Sequence, residues 1–231
     1  MRASGWRGAL AVAAAAVAGC GGARAELSPL PASALTAAVA WAEEEARIRQ
    51  PTRLTFSWRA REPGVRGSGL GVARLGPPDR ARLDLFLENG ESAAIAALEG
   101  GHLRTPPNAD PQAAIPRSAL LWAALGVYRP GEGAEVVEGG EADDLLEMLV
   151  RLPDGDLVRY RMRGGELNGA ALMRGGKVVE SVELMWAEAF SGYPSAATYR
   201  NLYDYRELEL SLESVDHVEA FPPHIWHPGR W

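Results

Sequence analysis

The sequence predicts a mainly β protein in which an antiparallel sheet curves and two helices close its apolar concave side. Three observations predict this fold class. Apolar and polar residues alternate with a period of two over most of the chain, as in strands that bury one face. Hairpin turns such as Asn89-Gly90 and Gly175-Gly176 separate these stretches. Helical patterning occurs only in residues 34–49 and 117–127, too little to cover about ten or eleven strands in layers.

The first twenty residues have the pattern of an export signal. Arg2 and Arg7 precede an uncharged apolar run that is too short to span a bilayer. The run ends in Val17-Ala18-Gly19-Cys20, which resembles the lipobox of bacterial lipoproteins, and Cys20 is the only cysteine of the chain. The resemblance implies a signal peptide over residues 1–19 and acylation of Cys20 with palmitate-type chains. An ordinary secretory signal that ends in a chance cysteine is the alternative.

The mature chain is expected to begin with a tether and a helix. Residues 20–32 are small and proline-bearing, which favours a lipidated tether before a single domain over residues 33–231. Ser33 is predicted to cap the helix, and Pro51 to stop it. The predicted apolar stripe of this helix consists of Leu35, Val39, Ala42 and Ala46.

Strands follow in two groups, one on each side of a proline-rich loop and the second helix. Glycines are frequent in residues 66–76 and predict a strongly bent strand there. The loop covers residues 106–116, and the helix after it is expected to end at Gly126. The predicted strands are 52–61, 66–76, 80–87, 91–98, 101–105, 146–152, 158–162, 166–173, 177–186 and 207–213. A closed barrel or a two-sheet sandwich is the competing architecture.

Composition and motifs exclude several classes of function. The chain has 24 basic and 30 acidic residues, so its net charge of −6 gives no overall attraction to nucleic acid. No G-x-S-x-G or P-loop motif is present, and prolines around His224 and His227 oppose a helical metal site. Asp143-Asp144 is interpreted as part of a solvated acidic loop. We therefore expect a non-enzyme without metal or other cofactor.

Two stretches resemble the LolA/LolB-like family, and within it the outer-membrane lipoprotein receptors of the LolB type. One is the Pro-led apolar helix of residues 115–126, and the other is the hairpin of residues 82–90, which follows a basic and apolar strand over 56–61. The resemblance implies an incomplete antiparallel β-barrel whose helices close an apolar concavity. It also implies a membrane-facing hairpin with Phe86 and Leu87 at its turn. Residues 128–144 and 216–231 have no counterpart in the family.

The function that this resemblance implies is binding of the acyl chains of lipoproteins or lipids, for lipoprotein localisation to the outer membrane. Because Gly21 rather than Asp follows Cys20, the anchored protein is expected in the outer membrane, facing the periplasm. Expected partners are acyl chains, the envelope membrane and a periplasmic lipoprotein carrier, with the protein itself a monomer. The alternative is a structural or envelope-sensing lipoprotein without cargo. The residues expected to line the cavity are Leu54, Phe56, Trp58, Leu83, Leu85, Leu121, Trp122, Leu125, Met148 and Trp186.

Overall fold

The computed structural model describes residues 27–107, 115–190 and 192–228, which form one antiparallel sheet of 13 strands and two α-helices. The helices are α1 (Ala32–Glu45) and α2 (Ser118–Ala124), and short 3₁₀ turns lie at Glu188–Phe190 and Pro223–Trp226. The strands are β1 (Ser28–Pro29), β2 (Thr52–Glu62), β3 (Val65–Gly76), β4 (Arg80–Leu87), β5 (Ser92–Glu99), β6 (His102–Arg104), β7 (Glu135–Ala142), β8 (Leu145–Arg151), β9 (Leu157–Arg163), β10 (Glu166–Arg174), β11 (Lys177–Met185), β12 (Ala196–Asn201) and β13 (Arg206–His217).

The strands follow the order β1-β7-β8-β9-β10-β11-β12-β13-β2-β3-β4-β5-β6 in the sheet. Among the described strands β1 and β6 are the two edges, so the sheet does not close on itself. The prediction of an open antiparallel sheet with two helices is therefore confirmed. The predicted number of strands was too low, because β1, β7 and β12 were missed.

Antiparallel pairing places the turns alternately at two ends of the sheet. We call the end with the turns at 63–64, 88–91, 152–156, 175–176 and 202–205 the open end. The other end carries the turns at 77–79, 100–101, 143–144 and 164–165, and we call it the capped end. There, Glu43 of α1 lies close to Asp79 and Gly100, around a common depression.

Alternation along each strand separates an inner apolar face from an outer polar face. Leu54, Phe56 and Trp58 are at most 5% exposed, whereas Arg53 and Arg59, on either side of this stretch, are exposed. Burying one face of a pleated strand in this way is what a period of two produces.

The glycines of β3 allow aromatic side chains to lie flat against the inner face. Gly71 and Gly69 are the register partners of Phe56 and Trp58. A Cβ atom added to Gly71 would lie 2.5 Å from Cζ of Phe56, and one added to Gly69 would overlap the carbonyl group of Phe86. Trp58 Nε1 donates to the carbonyl oxygens of Leu70 and Phe86, each at 3.1 Å. Only glycine therefore fits where β2, β3 and β4 approach most closely.

The folded part of the chain begins within residues 20–32, which were expected to form a tether. Ser28 and Pro29 pair with Glu141 and Gly140 of β7, and the N–H of Leu30 donates to Gly139. The helix begins at Ala32 with Pro31 as its N-cap, so the prediction that Ser33 caps it was wrong. It also ends at Glu45, before Pro51 can stop it.

Residues 128–144 and 216–228, which belong to the two segments without a family counterpart, are folded. Residues 135–142, for which no strand was predicted, form β7 and pair with β8, and Asp143-Asp144 form the turn between these two strands. Residues 218–228, which we call the strap, follow β13 and cross the outer face of the sheet, where Trp226 is 3% exposed. Beneath them Arg82 and Asp84 form a buried ion pair at 2.7 Å.

Candidate functional site

The residues predicted to line a cavity meet on the inner face of the sheet. Nine of the ten are buried in one hydrophobic cluster, and Trp186 packs against that cluster while its Nε1 donates to Leu167 at 2.9 Å. The nine are Leu54, Phe56, Trp58, Leu83, Leu85, Leu121, Trp122, Leu125 and Met148.

Helix α2 fills the concavity instead of covering an empty one. Every residue from 119 to 125 is at most 5% exposed, and the helix packs on β10, β11 and β12. Trp122 is completely buried, and its Nε1 donates to Gly100 at 2.7 Å. The predicted cavity residues therefore form a packed core around α2, which corrects the expectation that they line an open chamber.

Two tyrosines carry polar atoms into this core. Tyr128 and Tyr160 are 2% and 0% exposed, and their rings meet edge to face with centroids 4.8 Å apart. Neither hydroxyl has a hydrogen-bond partner among the described residues. Burial raises the pKa of both phenols, so they remain protonated and uncharged inside the core.

An open concavity lies at the open end, where α2 begins. We call it the mouth; its volume is about 560 Å³, within the usual range for small-molecule sites. Its apolar side chains are Leu103, Ile115, Val179 and Tyr199. The other residues around it are Pro116, Arg117, Arg174, Lys177, Glu180, Asn201, Tyr203 and Asp204.

Ion pairs tie the elements around the mouth together. Nη1 of Arg117, directly before α2, lies 2.8 Å from Asp154 and 3.0 Å from Asp156 in the β8–β9 turn. Nη2 of Arg174, at the end of β10, lies 2.6 Å from Asp156. Hydrogen bonding from Arg174 lowers the pKa of Asp156, so this carboxylate stays charged at a lower pH than a free aspartate does. The Tyr199 hydroxyl donates to Glu180 at 2.9 Å.

The turn between β12 and β13 stands beside the mouth and exposes large apolar groups. Leu202, Tyr203 and Tyr205, which we call the aromatic turn, are 50%, 83% and 81% exposed. Asn201 Oδ1 accepts from the backbone N–H groups of Tyr203 and Asp204 at 3.0 and 2.9 Å. Tyr205 has a φ of +55°, a conformation that costs a residue with a side chain about 1 kcal/mol. The chain thus holds a defined turn that presents aromatic side chains to solvent.

The hairpin expected to face a membrane does not carry Phe86 and Leu87 at its turn. Phe86 and Leu87 lie on opposite faces of β4, before the turn, and both are half-buried. Leu87 packs against the core cluster, and the turn itself contains Glu88 and Glu91. This hairpin therefore does not present an apolar tip. The aromatic turn presents such an apolar tip instead. The run Leu-Tyr-Asp-Tyr directly after Asn201 is the sequence feature that could have indicated it.

Cys20, the predicted lipidation site, lies outside the described residues. Within the described ranges, no three His, Cys, Asp or Glu side chains are grouped so as to hold a metal ion. Neither of the two described α-helices is long and apolar enough to cross a membrane.

Comparisons with known proteins point to the fold. No protein-family model matches this chain, and no curated protein matches it. Its structure is similar to that of a LolA superfamily protein from Nitrosomonas europaea, with a TM-score of 0.54, 10% identity and coverage of 83% of this chain and 96% of the other. A DUF1329 family protein from Desulfovibrio piger follows with a TM-score of 0.52, 9% identity and coverage of 83% and 96%.

A third solved structure, a putative outer membrane lipoprotein-sorting protein domain from Vibrio parahaemolyticus, gives a TM-score of 0.48, 7% identity and coverage of 82% and 94%. At these identities the likeness concerns the fold alone. The chain has a LolA-like fold, and nothing in the comparisons singles out the LolB type that two sequence stretches resemble.

Proposed function

We propose that this protein is a non-catalytic lipoprotein of the bacterial envelope that binds a single acyl chain in the mouth at the open end of its half-barrel. The observation that carries the proposal is the mouth itself, an apolar floor bordered by cationic side chains and by the exposed aromatic turn. The LolA-like fold and the lipobox-like segment ending in Cys20 agree with this role.

The chemistry of the mouth suits an amphiphile with one chain. Burial of apolar surface contributes roughly 25 cal/mol per Å², so the floor can supply affinity without specific polar contacts. Arg117, Arg174 and Lys177 on the rim can meet the polar head of such a ligand. Asp154 and Asp156 already neutralise part of this positive charge, which favours a neutral or singly charged head, such as an ester or a carboxylate, over a strongly anionic one.

A lipid anchor at Cys20 would set the orientation of the mouth. Ser28 pairs near the capped end of β7, while the mouth and the aromatic turn lie at the open end. The long strand β13, with 12 residues, extends roughly 40 Å between these ends. Residues 21–26 can span at most about 25 Å. An anchor at Cys20 would therefore hold the capped end near the membrane and direct the mouth towards the periplasm, where a soluble lipoprotein carrier can reach it.

Displacement of a fluorescent fatty acid from the purified protein tests this function. Val179 contributes to the floor of the mouth, whereas its neighbour Val178 is 37% exposed and lies outside it. Val179→Glu is expected to abolish binding and Val178→Glu to leave it unchanged. Absence of binding to the wild-type protein, or equal binding by Val179→Glu, would refute the proposal. Native mass spectrometry of protein extracted from membranes would show both the bound chain and the acylated Cys20.

A second candidate function is a structural or envelope-sensing lipoprotein that does not carry cargo. The burial of α2 from Ala119 to Ala124 favours it, because a filled concavity leaves no deep chamber for a lipid. Depletion of the protein distinguishes the two functions. Accumulation of other lipoproteins at the wrong membrane is expected for an acyl-chain carrier, and normal lipoprotein localisation is expected for a structural protein.

A further inference from the structure

The outer face of β2, β3 and β4 is divided into a covered half and an uncovered half. Near the capped end the strap lies across β4 and β5. Near the open end β2, β3, β4 and β13 carry a groove of about 740 Å³, larger than the mouth. We call it the outer groove. Its apolar residues include Leu70, Val72 and Phe86, and its hydroxyls belong to Thr55, Ser57, Ser68 and Ser211. Its charged residues are Arg59, Glu88 and Glu209.

The covered half shows what kind of group this face binds. Trp226 of the strap lies over Gly76, and the guanidinium of Arg80 stacks 5.1 Å from the centre of its ring. The carbonyl oxygen of Ile225 accepts from Arg82 Nη1 at 2.7 Å. Phe221 packs edge to face against Trp226 at 5.8 Å. An irregular peptide segment is thus held by an aromatic side chain over Gly76 and by arginine bonding to its backbone.

The outer groove repeats these elements without a segment from the described chain on them. Leu70 is 55% exposed and pairs in register with Phe86, so the two side chains form one apolar patch. Arg59 borders this patch beside its register partner Glu209, and Arg61 and Arg66 lie beyond it towards the open end together with Glu88. The guanidinium group of arginine donates hydrogen bonds to both backbone carbonyl oxygens and carboxylates. The groove is therefore apolar on its floor and carries both arginine and glutamate side chains at the open end.

We propose that the outer groove binds an extended segment of a partner protein, with a large apolar or aromatic side chain on Leu70 and Phe86 and an acidic side chain at Arg59. This site is on the opposite face of the sheet from the proposed acyl-chain site and does not depend on it. A peptide suits the groove better than a lipid does, because the hydroxyls of Thr55, Ser57 and Ser211 offer hydrogen bonds to a backbone. The strap shows the same face already holding peptide.

A labelled synthetic peptide with the sequence of residues 216–226 tests the proposal. This peptide contains acidic residues followed by Phe221 and Trp226, so it has the chemistry that the groove is inferred to recognise. Fluorescence anisotropy with the full chain should show saturable binding. Leu70→Asp and Arg59→Glu should each weaken it by at least about tenfold. Val65→Asp is the control, because Val65 is 56% exposed on β3 but lies outside the groove.

Several results would overturn the proposal. No saturable binding to the wild-type protein would do so, as would an equal loss in the Val65→Asp control. If binding survives Leu70→Asp but increases in Trp226→Ala, the peptide is replacing the strap and not occupying the groove. If monomeric lysophosphatidylglycerol, but not the peptide, binds in a way that depends on Leu70, the groove is a lipid site. Because Leu70 is exposed, Leu70→Ser provides a milder variant in case Leu70→Asp affects folding.

Discussion

Replacement of Gly71 by Ala tests the close packing that shapes the inner face at β2, β3 and β4. The added Cβ would lie 2.5 Å from Cζ of Phe56 and 3.0 Å from Cδ2 of Leu85, both in a buried cluster. Overpacking of this kind costs about 1–3 kcal/mol. The gain in chain stiffness on replacing Gly offsets up to about 1 kcal/mol of it. We expect a net loss of about 1–2 kcal/mol in the free energy of unfolding.

The double variant Gly71→Ala/Phe56→Leu shows whether the aromatic ring is the cause. Urea unfolding followed by tryptophan fluorescence measures each variant, and the two single substitutions should couple favourably by about 1 kcal/mol or more. Gly67→Ala is the matched control, since its Cβ would lie 3.2 Å from the edge of the Trp58 ring, and a smaller loss is expected. An additive double variant, or equal losses at Gly67 and Gly71, would refute the explanation.

Three further predictions concern the strap, the core and the mouth. Trp226→Ala should lower the free energy of unfolding, measured by urea titration, by about 3 kcal/mol, because Trp226 is only 3% exposed. Trp41→Ala is the control and should lower it by much less, because Trp41 is 40% exposed. Tyr160→Phe should leave it unchanged or raise it by up to about 1 kcal/mol, because an unpartnered buried hydroxyl is removed; a clear loss would mean that the hydroxyl is hydrogen-bonded. The pKa of Asp156 is lower in the folded protein than the value of about 3.9 in the unfolded chain, so its ionised carboxylate stabilises the fold at pH values above about 3.9. This contribution is lost as the pH falls through the folded-state pKa. In urea midpoints measured from neutral pH into acid, Asp156→Asn should therefore show a weaker loss of stability below about pH 4 than the wild type; identical acid profiles would contradict this.

Much of the fold could be predicted because alternation survives wherever one strand face is buried. The strands around Phe56, Leu83, Met148 and Leu210 follow the period of two and were predicted correctly. Strand β7 was missed because Gly139 and Gly140 stand where apolar side chains would reveal a strand. Leu35 and Leu27 pack against these two glycines, so the apolar groups come from a distant part of the chain.

The site was predictable only in part. The sequence pattern assigned the candidate residues to the inner face of the sheet, but a pattern cannot show whether side chains line a space or fill it. Helix α2 did contain a usable clue, because residues 119–125 have no polar side chain on any face, which is typical of a buried helix. The mouth joins Leu103, Ile115, Val179 and Tyr199 from four separate elements or loops, and no local pattern relates them.

Photo-crosslinking with a diazirine-bearing fatty acid tests the central claim most directly. The purified protein is irradiated with the probe, digested, and the modified residues are located by mass spectrometry, with unlabelled fatty acid as competitor. We expect competable adducts on Leu103, Ile115, Val179 and Tyr199, and their loss in Val179→Glu. Adducts on Leu70 and Phe86 alone, or labelling that the competitor does not reduce, would contradict binding of an acyl chain in the mouth.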